Sequence, residues 1–108
     1  IKLLDRYKIS HQKVWLDPGI GFGKNLSQNL SIMNNINKFR LKNCGLILGS
    51  SRKSWINKID NSPVHKRIGG SISSALIGIS KGVDIIRVHD VFETRQALQV
   101  YKKIKCLK

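Results

Sequence analysis

The chain is poor in acid. Six Asp and Glu stand against twenty Lys and Arg, a formal net charge of +14 in 108 residues. A balance this basic raises nucleic-acid binding, but its usual companions are also lacking. There are only three Phe, two Tyr and two Trp, and they are not interleaved with the basic residues. The lysines are scattered, with one mild cluster at Lys102, Lys103, Lys105 and Lys108. Ile, Asn and Lys abound, as an AT-biased genome favours. Drift of surface positions accounts for the charge, and no specific nucleic-acid partner is expected. Cysteine is scarce too: Cys44 and Cys106 lack the CxxC spacing of a zinc or redox site and read as reduced thiols of a cytoplasmic protein. No apolar run approaches the roughly 18–20 residues that span a bilayer. No secretory leader and no membrane partner are expected. The first residue is Ile1 rather than Met, and a piece of a longer protein is expected.

What is present is an alternation of two periods. Three short apolar runs, 13–17 (KVWLD), 45–49 (GLILG) and 83–89 (VDIIRVH), have the character of parallel strands buried on both faces. Helical patterns lie between them. Leu26, Leu30, Met33, Ile36 and Phe39 form one stripe, with Asn25 as N-cap and Gln28 three residues on. A second helix is expected over 64–81, with Pro63 in its first turn and Gly82 as its stop. Its inward stripe is Ile68, Ile72, Ala75, Leu76 and Ile79. The third begins at Asp90, which caps it while Glu93 reaches back, and turns Val91, Thr94, Leu98, Tyr101 and Ile104 inward. Residues 1–12 read as the end of an earlier helix, and 51–62 as a long loop.

The order is βαβαβα, an α/β fold. Strand starts at 13, 45 and 83 approach the roughly 31-residue repeat of an eight-unit TIM barrel. Three units cannot close a barrel, so an incomplete one is expected, with a small open α/β sheet as the alternative.

Charged residues gather where the strands end. Asp17 closes the first strand, where a carboxylate can accept from paired N–H groups of a planar heterocycle or simply cap the loop that follows. The GIGFGK loop is not a phosphate loop: Pro18 stands where that motif needs Gly, and Asn25 where it needs Ser or Thr. The dinucleotide fingerprint fails as well, its third Gly falling on Lys24. The glycines instead permit a tight path that exposes Phe22. Ser51 to Ser54 (SRKS) offer two adjacent cations and two hydroxyls, suited to an anionic or electron-rich ligand or to an ordinary polar loop. Arg87 and His89, two apart on a strand, share one face with Ile85. They suit an oxyanion, or a salt bridge to Asp17. Asp84, His11 and His65 read as surface residues.

The segments LDPGIGFGKN, LILGSSRKSWI and RIGGSISSALIGISKGVDIIRVHDVFET together resemble the dihydropteroate synthase family, in order and separation, over nearly the whole chain. The resemblance implies that residues 1–108 are the C-terminal part of a pterin-binding domain, the last three βα units of its TIM barrel. It implies a transferase of folate synthesis that joins p-aminobenzoate to 6-hydroxymethyl-7,8-dihydropterin diphosphate and releases diphosphate. By the same resemblance Asp17, Lys53 and Arg87 bind the pterin. Arg87, the Val88 backbone and His89 bind diphosphate, and Phe22 and Ser51 lie near p-aminobenzoate, the position sulfonamide drugs imitate. No side-chain nucleophile is required. Magnesium is implied for the whole enzyme, its ligand lying outside this chain, and so is a homodimer. An inactive remnant or split-chain partner remains an alternative. So does a pterin-binding methyltransferase domain, although that chemistry needs no anion site.

Overall fold

The computed structural model describes residues 1–41 and 43–106, so Lys108 of the basic cluster lies outside the described residues. Helix α1 (Lys2–Arg6) leads through a 3-10 turn at His11–Lys13 into β1 (Trp15–Leu16). Then come α2 (Leu26–Asn34), β2 (Gly45–Leu48), α3 (Ser54–Ile59), α4 (Ile68–Ser80), β3 (Ile85–Ile86) and α5 (Val91–Lys105). The three strands form one parallel sheet in the order β1-β2-β3, with Trp15 opposite Gly45 and Ile47 opposite Ile85. The expected α/β order is therefore present, as a segment of an incomplete barrel.

The paired stretches are shorter than the apolar runs. His11–Lys13 winds into a 3-10 turn, so β1 starts only after Val14. On β3 the ladder reaches one residue beyond each end, through Asp84 N–H to Leu46 O and Arg87 N–H to Leu48 O, each 2.9 Å. Burial of both faces is corrected as well. Leu46 and Leu48 are sealed, whereas Trp15 and Ile85 on the opposite face are 50% and 39% exposed. Helices cover one side, and among the described residues nothing fills the other. The core gathers Ile20, Met33, Ile36, Leu46, Leu48, Trp55, Ile56 and Val83.

Helix α2 starts as the sequence suggests. Asn25 Oδ1 accepts the Gln28 N–H at 2.8 Å, and Gln28 Oε1 accepts the Asn25 N–H at 3.0 Å, a complete capping box. The helix stops at Asn34, and a 3-10 turn carries Ile36 into the core. Leu30 and Phe39 of the expected stripe are exposed, and Asn29 takes the buried position instead.

Helix α3 forms inside the stretch expected to be loop, anchored by Trp55 and Ile56. The expected second helix is two pieces, a 3-10 turn at Val64–Lys66 and α4. Gly82, at φ +94°, ends α4, with the Val83 N–H returning to Gly78 O at 3.0 Å. The face of α4 set against the sheet is small and partly polar: Ser71, Ser74, Ala75 and Gly78. A Cβ added at Gly78 would stand 2.6 Å from Leu48 Cδ2, so close approach selects small residues there. Ile68, Ile72 and Leu76 instead flank a groove shared with α5. On α5 only Thr94 is buried, while Val91 and Ile104 are exposed, because the helix packs on α4 along a narrower strip than expected. Asp90 makes no side-chain cap bond to α5.

Candidate active site

Three loops meet at the carboxyl ends of the strands. In the first, Asp17 Oδ1 accepts the Gly19 N–H at 2.8 Å, so the carboxylate does cap its own loop. Gly19, Gly21 and Gly23 all have left-handed φ (+72°, +86°, +61°), which a side chain would resist. Lys24 staples the turn from inside, its Nζ donating to Gly19 O at 2.7 Å and Phe22 O at 2.9 Å. Lys24 is thereby a loop brace. Asn29 of α2 accepts the Gly21 N–H at 2.9 Å and ties the loop to the core. Sequence reasoning missed Asn29, although its place between Leu26 and Met33 on the helical period marks it as inward. Phe22 projects outward, as expected, 64% exposed.

The second loop separates its two cations. Arg52 has φ +55°, which turns its side chain away from those of its neighbours. Its guanidinium grips Asp90, Nε to Oδ2 at 3.1 Å and Nη2 to Oδ1 at 2.5 Å, and holds that carboxyl below its usual range. Its N–H donates to Ser71 Oγ at 2.8 Å, and its carbonyl accepts from Arg67 Nη1 at 2.9 Å. The expectation that both cations face a ligand is thus corrected, because Asp90 claims Arg52. Lys53 enters the site alone. Its Nζ donates to Ile20 O at 2.6 Å and lies 4.5 Å from the centre of the Phe22 ring.

The third loop brings Arg87 across Gly49 of the neighbouring strand, with His89 beyond it. Gly49, Ser51, Lys53, Arg87, Val88 and His89 line one cleft of about 300 Å³. Asp17 and Phe22 stand at its side and do not line it. No ion pair joins Asp17 to Arg87 or His89 among the described residues, so the salt-bridge reading of Asp17 is set aside. Asp17 acts on Lys53 through its charge. Burial pushes the Lys53 ammonium below its ordinary range, Arg87 and Lys24 push the same way, and Asp17 opposes them. Ser51 is buried, and its Oγ is engaged with His89, 3.2 Å from the backbone N and 2.9 Å from Nδ1.

Of the outlying residues, Asp84 is exposed as expected, whereas the reading of His11 as a plain surface residue is corrected. Asp84 is tied in at the opposite end of the sheet. It accepts the Leu46 N–H at 2.9 Å and pairs with Arg40, and both hold its carboxyl below the usual carboxylate range. His11 bonds Asp5 through Nε2 at 2.7 Å. The residues present do not form a site for the magnesium that the resemblance implies: no three His, Cys, Asp or Glu converge among those described. No helix of the described residues is long and apolar enough to cross a membrane.

An anion-suited cleft at the ends of parallel strands has counterparts of known fold. The chain is 46% identical over 92 residues to dihydropteroate synthase of Escherichia coli (strain K12), covering 85% of this chain and 33% of that protein. It superposes on the crystal structure of Yersinia pestis dihydropteroate synthase with a TM-score of 0.91 at 35% identity, over 98% of this chain and 50% of the other. It also superposes on Xanthomonas albilineans dihydropteroate synthase in complex with 7,8-dihydropteroate, with a TM-score of 0.93 at 26% identity, over 99% and 42%. The chain thus spans about a third of the length of the curated relative. The profile described as "Pterin binding enzyme" matches residues 1–89, most of the chain and all three loops of the cleft, so the chain belongs to the pterin binding enzyme family.

Proposed function

We propose that the chain is part of a dihydropteroate synthase, the C-terminal portion of a pterin-binding domain, and that it holds the dihydropterin diphosphate. The observation that carries this reading is the joint presence of Lys53, Arg87 and His89 in one cleft, with Asp17 beside them. Asp17 accepts N–H groups of the pterin ring, and Lys53 exchanges the Ile20 carbonyl for the pterin carbonyl. Arg87 lies on the ring face and, with the Val88 N–H and His89, meets the diphosphate. Phe22 and Ser51 flank the p-aminobenzoate side.

The reaction breaks the bond between the pterin methylene carbon and the diphosphate oxygen, which leaves with the electron pair. The arylamine nitrogen forms the new bond and releases one proton. Cations aimed at the leaving oxygens and two rings held in register supply what this step needs. Methyl transfer on a pterin requires no anion site, so Arg87 and His89 favour the synthase over the methyltransferase alternative. The apolar groove between α4 and α5, lined by Ile68, Ile72, Leu76, Val100, Tyr101 and Ile104, supports a homodimer. A cytoplasmic location fits the unpaired Cys44 and Cys106.

The test is titration of the isotope-labelled chain with 6-hydroxymethyl-7,8-dihydropterin diphosphate, followed by NMR. Shifts centred on residues 49–53 and 87–89, lost in Arg87→Ala, are expected. No binding, or shifts confined to other surfaces, would overturn the reading.

A further inference from the structure

The hydroxyl of Ser51 has one proton to place and almost no choice of where. Ser51 is 4% exposed, so although it lines the cleft its hydroxyl has little access to water. Its oxygen already lies 3.2 Å from the His89 backbone N, whose only hydrogen-bonding role is to donate. The remaining neighbour within bonding distance among the described residues is His89 Nδ1, at 2.9 Å. Were Nδ1 protonated, the hydroxyl oxygen would accept twice and its own proton would be stranded in a buried place, at a cost of about 1–3 kcal/mol. With Nδ1 bare, every group is satisfied: the backbone N–H donates to Oγ, and Oγ–H donates to Nδ1.

From this geometry we infer that Ser51 is a positioning residue that fixes His89 as its Nε2–H tautomer, ring held in place and N–H free to donate into the cleft. Nε2 has no partner among the described residues, and His89 lines the cleft together with Arg87 and Lys53. His89 is thus presented to a ligand oxyanion as a neutral, oriented donor. That the oxyanion is a diphosphate rests on the function proposed above; the tautomer does not. The same bond joins the loop after β2 to the loop after β3, so Lys53 and His89 are set relative to each other before any ligand arrives.

The experiment is long-range ¹H–¹⁵N correlation NMR of the full chain labelled at histidine, recorded above the histidine titration and repeated with inorganic diphosphate. The expected result is a bare, hydrogen-bonded Nδ1 and a protonated Nε2 on His89, with a Ser51 hydroxyl proton that exchanges slowly and correlates with Nδ1. Ser51→Ala removes that correlation and weakens diphosphate binding about tenfold, as losing one oriented donor to an anion would. Ser51→Thr, which keeps the hydroxyl, retains both. A protonated Nδ1 in the unaltered chain, or a Ser51 hydroxyl in free exchange, would sink the assignment with no variant needed. An intact Ser51–His89 signature in a chain that ignores diphosphate would count against the anion reading of the cleft alone.

Discussion

Gly49 lies beneath the Arg87 guanidinium, and a Cβ there would stand 2.9 Å from Nη2 and 3.3 Å from Nε. The atoms in the way are the far end of a flexible side chain. Gly49→Ala therefore displaces the cation and leaves the fold nearly untouched. Stability by urea unfolding is expected to change by less than about 1 kcal/mol, while affinity for dihydropterin diphosphate falls several-fold. Lys53 gives a second prediction at this scale. Its folded-state pKa sits below its ordinary value of 10.5, chiefly through burial. Between the two values the folded chain has released a proton that the unfolded chain keeps, so stability rises with pH across that window. Asp17→Asn removes the charge that opposes the shift and lowers the Lys53 pKa further. NMR titration of dimethylated lysines should find one resonance titrating early in the unaltered chain and earlier still in the variant. These site residues were legible because strand alternation puts 85, 87 and 89 on one face. The fate of Arg52 was not, since a left-handed φ at a single non-glycine residue leaves no mark in the sequence.

Among the elements, the local capping rule held at α2 and failed at α5, where Arg52 holds Asp90, and the packing rules misled. The Asn25–Gln28 capping box could be read because both partners lie within four residues and answer only to the first turn. Asn25→Ala should cost about 1 kcal/mol in urea unfolding and loosen the adjoining glycine loop. Hydropathy misdirected the reading of α4, where Ile68, Ile72 and Leu76 outweigh Ser71, Ser74 and Gly78. The sheet-facing side is nevertheless set by how near the helix comes to Leu48. Gly78→Ala tests this. The added methyl improves helix propensity by about 1 kcal/mol but overpacks a buried contact at about 1–3 kcal/mol. A net loss is expected, opposite in sign to the gain at an exposed helical glycine such as Gly69, which has open space around it. Helix α3 escaped notice because six residues are too few to declare a period, and its two buried anchors are adjacent.

For the molecule as a whole, shape is the telling quantity. The Cα radius of gyration is 15.1 Å, against roughly 13 Å for a compact domain of this length. The excess reflects a flat body of 44 × 39 × 22 Å with one uncovered sheet face. A site built on an open sheet admits water from behind, and the cleft residues lack an opposing wall among the described residues. Incubating the 108-residue chain with dihydropterin diphosphate and p-aminobenzoate is therefore expected to give no dihydropteroate above background. Turnover by this chain alone would contradict that expectation.

The backward turn at Arg52 has one more consequence. It works as a sorting device: Ser51 and Lys53 on either side line the cleft, and the middle residue goes to the frame. Inserting or deleting a single amino acid between Ser51 and Lys53 would reassign those duties without changing composition. It would send a guanidinium toward the cleft and leave Asp90 without its cation. In this stretch, reading frame in space matters more than which charges are present.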